Sequence, residues 1–139
     1  MVVVDTDILI DNLRTRGRSP ILTKLSDSYS TGDLCVSTLT VHELFAGDSA
    51  EDRKTALLIS KLLTPFVVVS YGLEEAELGG RLVREARKLG RILHVADSAI
   101  AATAIAMDAE LATLNTKDFS VVKRLKLVDF AKLKPLKYK

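Results

Sequence analysis

Short, continuous apolar runs alternate along the chain with longer stretches in which apolar residues recur every three or four positions. Val2–Val4 is β-branched throughout and predicts a buried strand, followed by Ile8, Leu9 and Leu13 at helical spacing. Ser19-Pro20 predicts a second helix, with Ser as N-cap and Pro in the first turn, and Ile21, Leu22 and Leu25 form its apolar face. Residues 34–36 predict a second strand, and Thr38–Ala46 a helix closed by Gly47. A helix over 51–63 is broken at Pro65, residues 66–69 form a third strand, and a helix over 73–89 ends at Gly90. Residues 97–107 are an Ala-rich helix suited to close packing, opened by Asp97. A fourth strand over 111–114, a short helix over 117–125 and a candidate edge strand at Leu127-Val128 complete the pattern. Apolar strands separated by helices imply an α/β fold whose parallel sheet is covered on both faces. In such sheets ligands bind outside the carboxyl ends of the strands, so that edge is where chemistry is expected.

At 139 residues, with 47% hydrophobic and 27% charged positions, the chain reads as one domain able to bury a substantial core. It shows no repeat, linker or low-complexity tract. The single cysteine, Cys35, lies in an apolar run and reads as a buried strand thiol, in keeping with a reducing cytoplasm. No apolar stretch is long enough for a membrane span, and the opening valines are too few for a secretory signal. The formal net charge of +2 says little about partners, but its distribution says more. Arg14, Arg16 and Arg18 share one loop, Arg81, Arg84, Arg87, Lys88 and Arg91 one segment, and Lys132, Lys134, Lys137 and Lys139 the tail. Such clusters either track phosphates or solvate a helix face.

Acids recur just beyond a predicted strand or at a helix start. Asp5 ends the first, with Asp7 two residues on; Glu43 lies on the helix after the second; Asp97 opens the Ala-rich helix; Asp118 follows the fourth, beside Thr113 and Asn115. Each has a structural reading: Asp5, Asp7 and Asp97 as helix caps, Asp118 as a partner of a helix dipole, Thr40 and Glu43 as a capping box. A parallel sheet nevertheless brings all these positions towards one edge. Converging carboxylates repel unless a cation intervenes, and oxygen ligands without a His or Cys cluster suit Mg²⁺ or Mn²⁺. A metal held there activates water and stabilises a leaving oxygen, which implies hydrolysis of a phosphate ester. His42 adjoins Glu43 and therefore faces another side of its helix, whereas His94 could contact a phosphate. There is no Gly-rich phosphate loop, C-x-x-C pair or nucleophile elbow.

Four blocks resemble the PIN-domain ribonucleases: Val2-Val3-Val4-Asp5-Thr6-Asp7-Ile8-Leu9, Val36-Ser37-Thr38-Leu39-Thr40-Val41-His42-Glu43-Leu44, Asp97-Ser98-Ala99-Ile100-Ala101-Ala102, and Thr113-Leu114-Asn115-Thr116-Lys117-Asp118-Phe119. They occur in order and span nearly the whole chain. The resemblance implies a three-layer α/β/α sandwich with a parallel sheet of four to five strands, and RNA cleavage dependent on Mg²⁺ or Mn²⁺. It implies Asp5, Glu43, Asp97 and Asp118 as the catalytic acids. Asp5 and Asp97 would hold the metal, Glu43 would orient the attacking water, and Asp118 would complete the site. Thr6, Asp7, Thr113 and Asn115 would support them. Asp7 departs from the Asn or Ser more usual at that position, and either Asn115 or Asp118 could face the metal. The small size is similar to the VapC toxins of toxin–antitoxin pairs, which implies an antitoxin partner and a homodimer. Arg14, Arg16, Arg18, Arg84, Arg87 and Arg91 are the candidate RNA-binding residues.

Three other readings compete. Asp5-Thr6-Asp7 also mimics the nucleophile motif of haloacid-dehalogenase-type phosphatases, but Asp97 lacks the adjacent Asp such enzymes need. A receiver-like signalling domain would require an acceptor Asp after the third strand, where Ser70-Tyr71 stands instead. A PIN-like domain that only binds RNA or protein is the third, against which the intact acidic set argues.

Overall fold

The computed structural model describes residues 1–137; Lys139 of the basic tail lies outside them. Four parallel strands, β1 (Val2–Val4), β2 (Leu34–Ser37), β3 (Val67–Val69) and β4 (Glu110–Ala112), form one sheet in the order β3-β2-β1-β4. Around it lie α1 (Thr6–Arg14), α2 (Pro20–Ser28), α3 (Thr38–Ala46), α4 (Arg53–Leu63), α5 (Leu73–Lys88), α6 (Val95–Ala106) and the single turn α7 (Thr116–Phe119).

Strand alternation sorts the core into two layers. Val2, Val4, Leu34, Val36 and Ala112 point to one face and pack with Ile8 and Leu9 of α1, Leu22 and Leu25 of α2, Leu44 of α3 and Ile59 of α4. Val3, Cys35 and Leu111 point to the other and meet Leu78, Leu82 and Ala86 of α5, the Ile100–Ala104 stretch of α6, and Phe119. The result is the expected three-layer α/β/α arrangement. Cys35 is fully buried, and burial pushes its thiol up from its ordinary range.

Several boundaries follow the pattern closely. Ser19 caps α2, its hydroxyl accepting from Leu22 N–H at 3.2 Å with Pro20 in the first turn. Thr38–Ala46 is helical as predicted and gives way at Gly47. Other expectations are corrected. Leu127 makes one isolated parallel bridge with Leu111 instead of a fifth strand. The helix expected over 117–125 stops at Phe119, because Ser120, Val122 and Leu125 bond back three residues in successive turns. The helix expected over 51–63 begins at Arg53, after a 3₁₀ turn over Asp48–Glu51. Ser37, and not Thr40, caps α3, accepting from Leu39 N–H at 3.1 Å, so Thr40 and Glu43 form no capping box. His94 occupies the cap position of α6, which leaves Asp97 third in its first turn instead of opening the helix. Finally, β3 lies at the sheet edge with Val67 and Val68 41% and 48% exposed, so the sheet is not covered on both faces across its whole width.

Because the strands are parallel, the carboxyl ends of β1, β2 and β4 share one edge of the sheet. The chain runs outward from β1 to β2 and β3, then returns to place β4 on the other side of β1. The crevice between β1 and β4 is the point where strand order reverses.

Candidate active site

Asp5 stands where β1 passes into α1, at the crevice between β1 and β4, and is 5% exposed. Its backbone N–H donates to Ala112 C=O at 2.9 Å, extending the ladder one step beyond the strands. Its carboxylate accepts twice: at Oδ1 from Thr6 N–H and at Oδ2 from the Thr113 hydroxyl, both 2.8 Å. Asp5 is therefore both the cap of α1 and a buried carboxylate fixed from two elements.

Asp7, two residues further on, accepts at Oδ2 from Leu114 N–H at 3.1 Å and lies 3.2 Å from the same Thr113 hydroxyl. Thr113 has one proton for two carboxylate oxygens. It is in turn held by Asn115 N–H at 3.0 Å. Asp7 Oδ1 is buried without a hydrogen-bond partner, a costly condition for an ionised oxygen unless a proton or a cation meets it.

The electrostatics agree. Burial, then the neighbouring Asp7 charge, raise the Asp5 carboxyl to about 7, against the opposing bonds from Thr113 and Thr6. Burial likewise raises Asp7. Asp97, half-buried in the first turn of α6, is raised by burial and then by Asp118, with smaller contributions from Glu43 and Asp7, while His94 opposes them. Asp97 thus lies in the fields of Asp118, Glu43 and Asp7, and Asp5 in those of Asp7 and Asp97, although these acids come from the four separate sequence blocks.

Glu43 is half-buried on α3 and accepts from the Thr6 hydroxyl at 2.8 Å. Asp118, exposed on α7, accepts from the Asn115 side-chain amide at 2.7 Å. That bond ties the two candidates from the fourth block together, with Asn115 oriented by its acid neighbour. Among the described residues, no three His, Cys, Asp or Glu side chains form a group that could hold a metal ion. The donor set still fits a hard divalent ion, which takes one or two carboxylates and keeps several waters. An all-oxygen set, an orphaned carboxylate oxygen and three acids raised above their ordinary range are the features such an ion would relieve.

The basic candidates separate. Arg14 and Glu43 line the same cavity of about 440 Å³ between α1, α3 and α4, so the first cluster reaches the acidic edge. Arg16 lines an adjoining groove of about 730 Å³ with Lys54 and Lys61, over a floor that includes Leu13, Leu58 and Leu62. Arg18 is exposed. Arg91 approaches α7 through a long, 3.5 Å bond to Lys117 C=O. Arg84 and Arg87 are exposed on α5, whose buried side carries Leu78, Leu82 and Ala86. His42 is exposed and enters none of these contacts, as its position beside Glu43 implied. Three residues not assigned to the site from the sequence contribute: Thr40, whose hydroxyl oxygen lies 3.0 Å from that of Thr6, and Lys54 with Lys61 along the groove. A buried threonine three residues before an acid on one helix face was the available signal for the first.

The model of the PIN domain matches residues 2–125. Ribonuclease VapC19 of Mycobacterium tuberculosis is 35% identical over 121 residues, covering 86% of this chain and 92% of that protein. Ribonuclease VapC10 of the same organism is 32% identical over 126 residues, covering 91% of each. Among solved structures, VapBC-1 from nontypeable Haemophilus influenzae superposes with a TM-score of 0.79 at 25% identity, over 95% of this chain and all of that one.

Proposed function

The chain belongs to the PIN-domain family, and from that premise we propose that it is a Mg²⁺- or Mn²⁺-dependent endoribonuclease, the toxin of a toxin–antitoxin pair. Ribonucleases of this family generally depend on a divalent metal. The observation that carries the reading is the buried Asp5 carboxylate at the β1–β4 crevice, sharing Thr113 with Asp7 and lying in the field of Asp97.

When bound, the ion supplies a water of lowered pKa and positive charge where negative charge develops on the scissile phosphate. Asp5 and Asp97 would hold it, with Asp5 already fixed in place by Thr113 and by Thr6 N–H. Glu43, oriented by Thr6, positions the attacking water and accepts its proton. Asp118, steadied by Asn115, completes the acidic edge, and Asp7 adds a charge there. Arg14, Arg16 and Arg18 on one side, and Arg84, Arg87 and Arg91 on the other, hold the RNA backbone. The VapBC toxin–antitoxin complexes among the structural neighbours support an antitoxin partner, and the reading further takes the protein to be a homodimer acting in the cytoplasm.

The test is cleavage of a labelled RNA by the purified protein. Mg²⁺ or Mn²⁺ should support it, EDTA should stop it, and Ca²⁺ should serve poorly. Asp5→Asn and Asp97→Asn should each abolish cleavage while leaving the protein folded. Full activity in EDTA, or wild-type rates in both variants, would overturn the reading.

A further inference from the structure

Glu43 reaches the rest of the acidic edge through a hydroxyl group. The Thr6 side chain donates to Glu43 Oε1 at 2.8 Å, while the Thr6 backbone N–H donates to Asp5 Oδ1 at 2.8 Å. One residue therefore sets the separation of two carboxylates carried by different elements. Behind it lies Thr40, wholly buried, its Oγ1 3.0 Å from Thr6 Oγ1. Thr40 precedes Glu43 by three residues on α3, so the two side chains emerge on the same side of that helix.

The proton count gives this chain a direction. A threonine hydroxyl has one proton and lone pairs that accept. With its proton on Glu43, the Thr6 oxygen can only accept from Thr40, which must then spend its own proton on Thr6. Chains of buried hydroxyls polarise one another, so a donor behind Thr6 strengthens and orients the bond in front of it.

Resting on the reading of Glu43 as part of an RNA-cleaving site, the geometry points to a hydroxyl relay from Thr40 through Thr6 to Glu43, with Thr40 as a positioning residue for the reaction. A threonine buried merely for packing would behave otherwise. Valine has nearly its shape, so Thr40→Val would then leave kcat at the wild-type value.

The experiment measures kcat and KM on a short fluorogenic RNA with Mn²⁺ and with Mg²⁺, beside thermal melting. Thr40→Val should lower kcat by roughly ten- to a hundredfold, the usual cost of losing a group that orients a site side chain, with KM and melting temperature little changed. Thr40→Ser, which keeps the hydroxyl, should restore most of the rate. In a Thr6→Val background Thr40→Val should add no further loss, since the relay is already cut. Thr40→Ala, which leaves space instead of adding a methyl group, replaces Val if the Val variant does not fold. Wild-type kcat in Thr40→Val, failure of Ser to rescue, or an equal further loss in the Thr6→Val background would each overturn the relay while RNA cleavage by the wild type stands. An inactive wild type with both metals would overturn the functional reading itself, and the relay with it.

Discussion

Burial holds the Asp5 carboxyl near 7, and Asp7 and Asp97 are raised in the same direction. Between about pH 4 and pH 7 the folded, metal-free protein therefore binds more protons than the unfolded chain. Stability falls as pH rises through that window, and below it the penalty is absent because both states are protonated. Without metal, the protein should melt at a higher temperature at pH 5 than at pH 8. Asp5→Asn removes the largest of these penalties, which a shift of this size places on the order of a few kcal/mol. It should raise the pH 8 melting temperature in EDTA and flatten the pH dependence, while abolishing cleavage. Thermal melts at the two pH values check this; a wild type equally stable at both would show that the carboxylates are not strained. The acids themselves were legible: Asp5 sits one step beyond a strand run, and Glu43, Asp97 and Asp118 lie in later helical segments. The bonds that link them were not. Thr113 and Asp5 are 108 positions apart, and nothing local in either segment announces that one hydroxyl serves two carboxylates.

Elements show the same divide. Val2–Val4 and Val67–Val69 are identical triplets. The first is wholly buried at the sheet centre, and two residues of the second are substantially exposed at its edge. Local pattern fixes strand propensity in both, whereas exposure depends on the position each takes among its neighbours. In the segment after β4, Val121, Val122 and Leu125 mimic helical spacing, yet the backbone closes three-residue turns. Side-chain burial in the core layer of α5 and α6 is achieved there without a helix. Where α5 packs on α6 stands a residue that periodicity treats as a helix weakness. At Gly79 a Cβ would lie 3.4 Å from the Tyr71 hydroxyl and 3.5 Å from Ser98 C=O. Gly79→Ala should therefore fit with little change, since helix propensity favours it. Gly79→Val must push two more carbons into that space and should cost roughly 1–3 kcal/mol. Urea denaturation of the two variants would separate them; equal stabilities would mean that α5 and α6 do not meet this closely.

At the scale of the whole molecule, the order of apolar runs was enough to imply a parallel sheet with chemistry at its carboxyl edge, and that edge is where Asp5, Thr113 and Ser37 are found. Charge was less legible, because arginines close in sequence diverge in space. A net charge of +2 hides an acidic edge flanked unevenly by cations. Arg14 shares a cavity with Glu43, and Arg16 continues that path beside Lys54 and Lys61. On the other flank Arg91 approaches α7, but Arg84 and Arg87 stand on the exposed side of α5. An acidic edge repels a polyanion, so affinity for several nucleotides has to come from cations beside it, each neutralised phosphate releasing counterions. Neutralising Arg14, Arg16 and Arg18 together should weaken binding of a single-stranded RNA. It should flatten the salt dependence by about 0.7 in log–log slope for each phosphate that no longer meets a cation. Neutralising Arg84, Arg87 and Arg91 should flatten it less, with Arg91 responsible for most of the change. Cleavage of RNA already bound should alter little in either case, since neither cluster belongs to the acidic edge. Binding measured at several salt concentrations with Asp97→Asn, which keeps the RNA intact, decides between the flanks. Equal slopes in both triple variants and their parent would take the arginines out of the RNA path and leave them as solvated helix faces or as a docking surface for a protein partner.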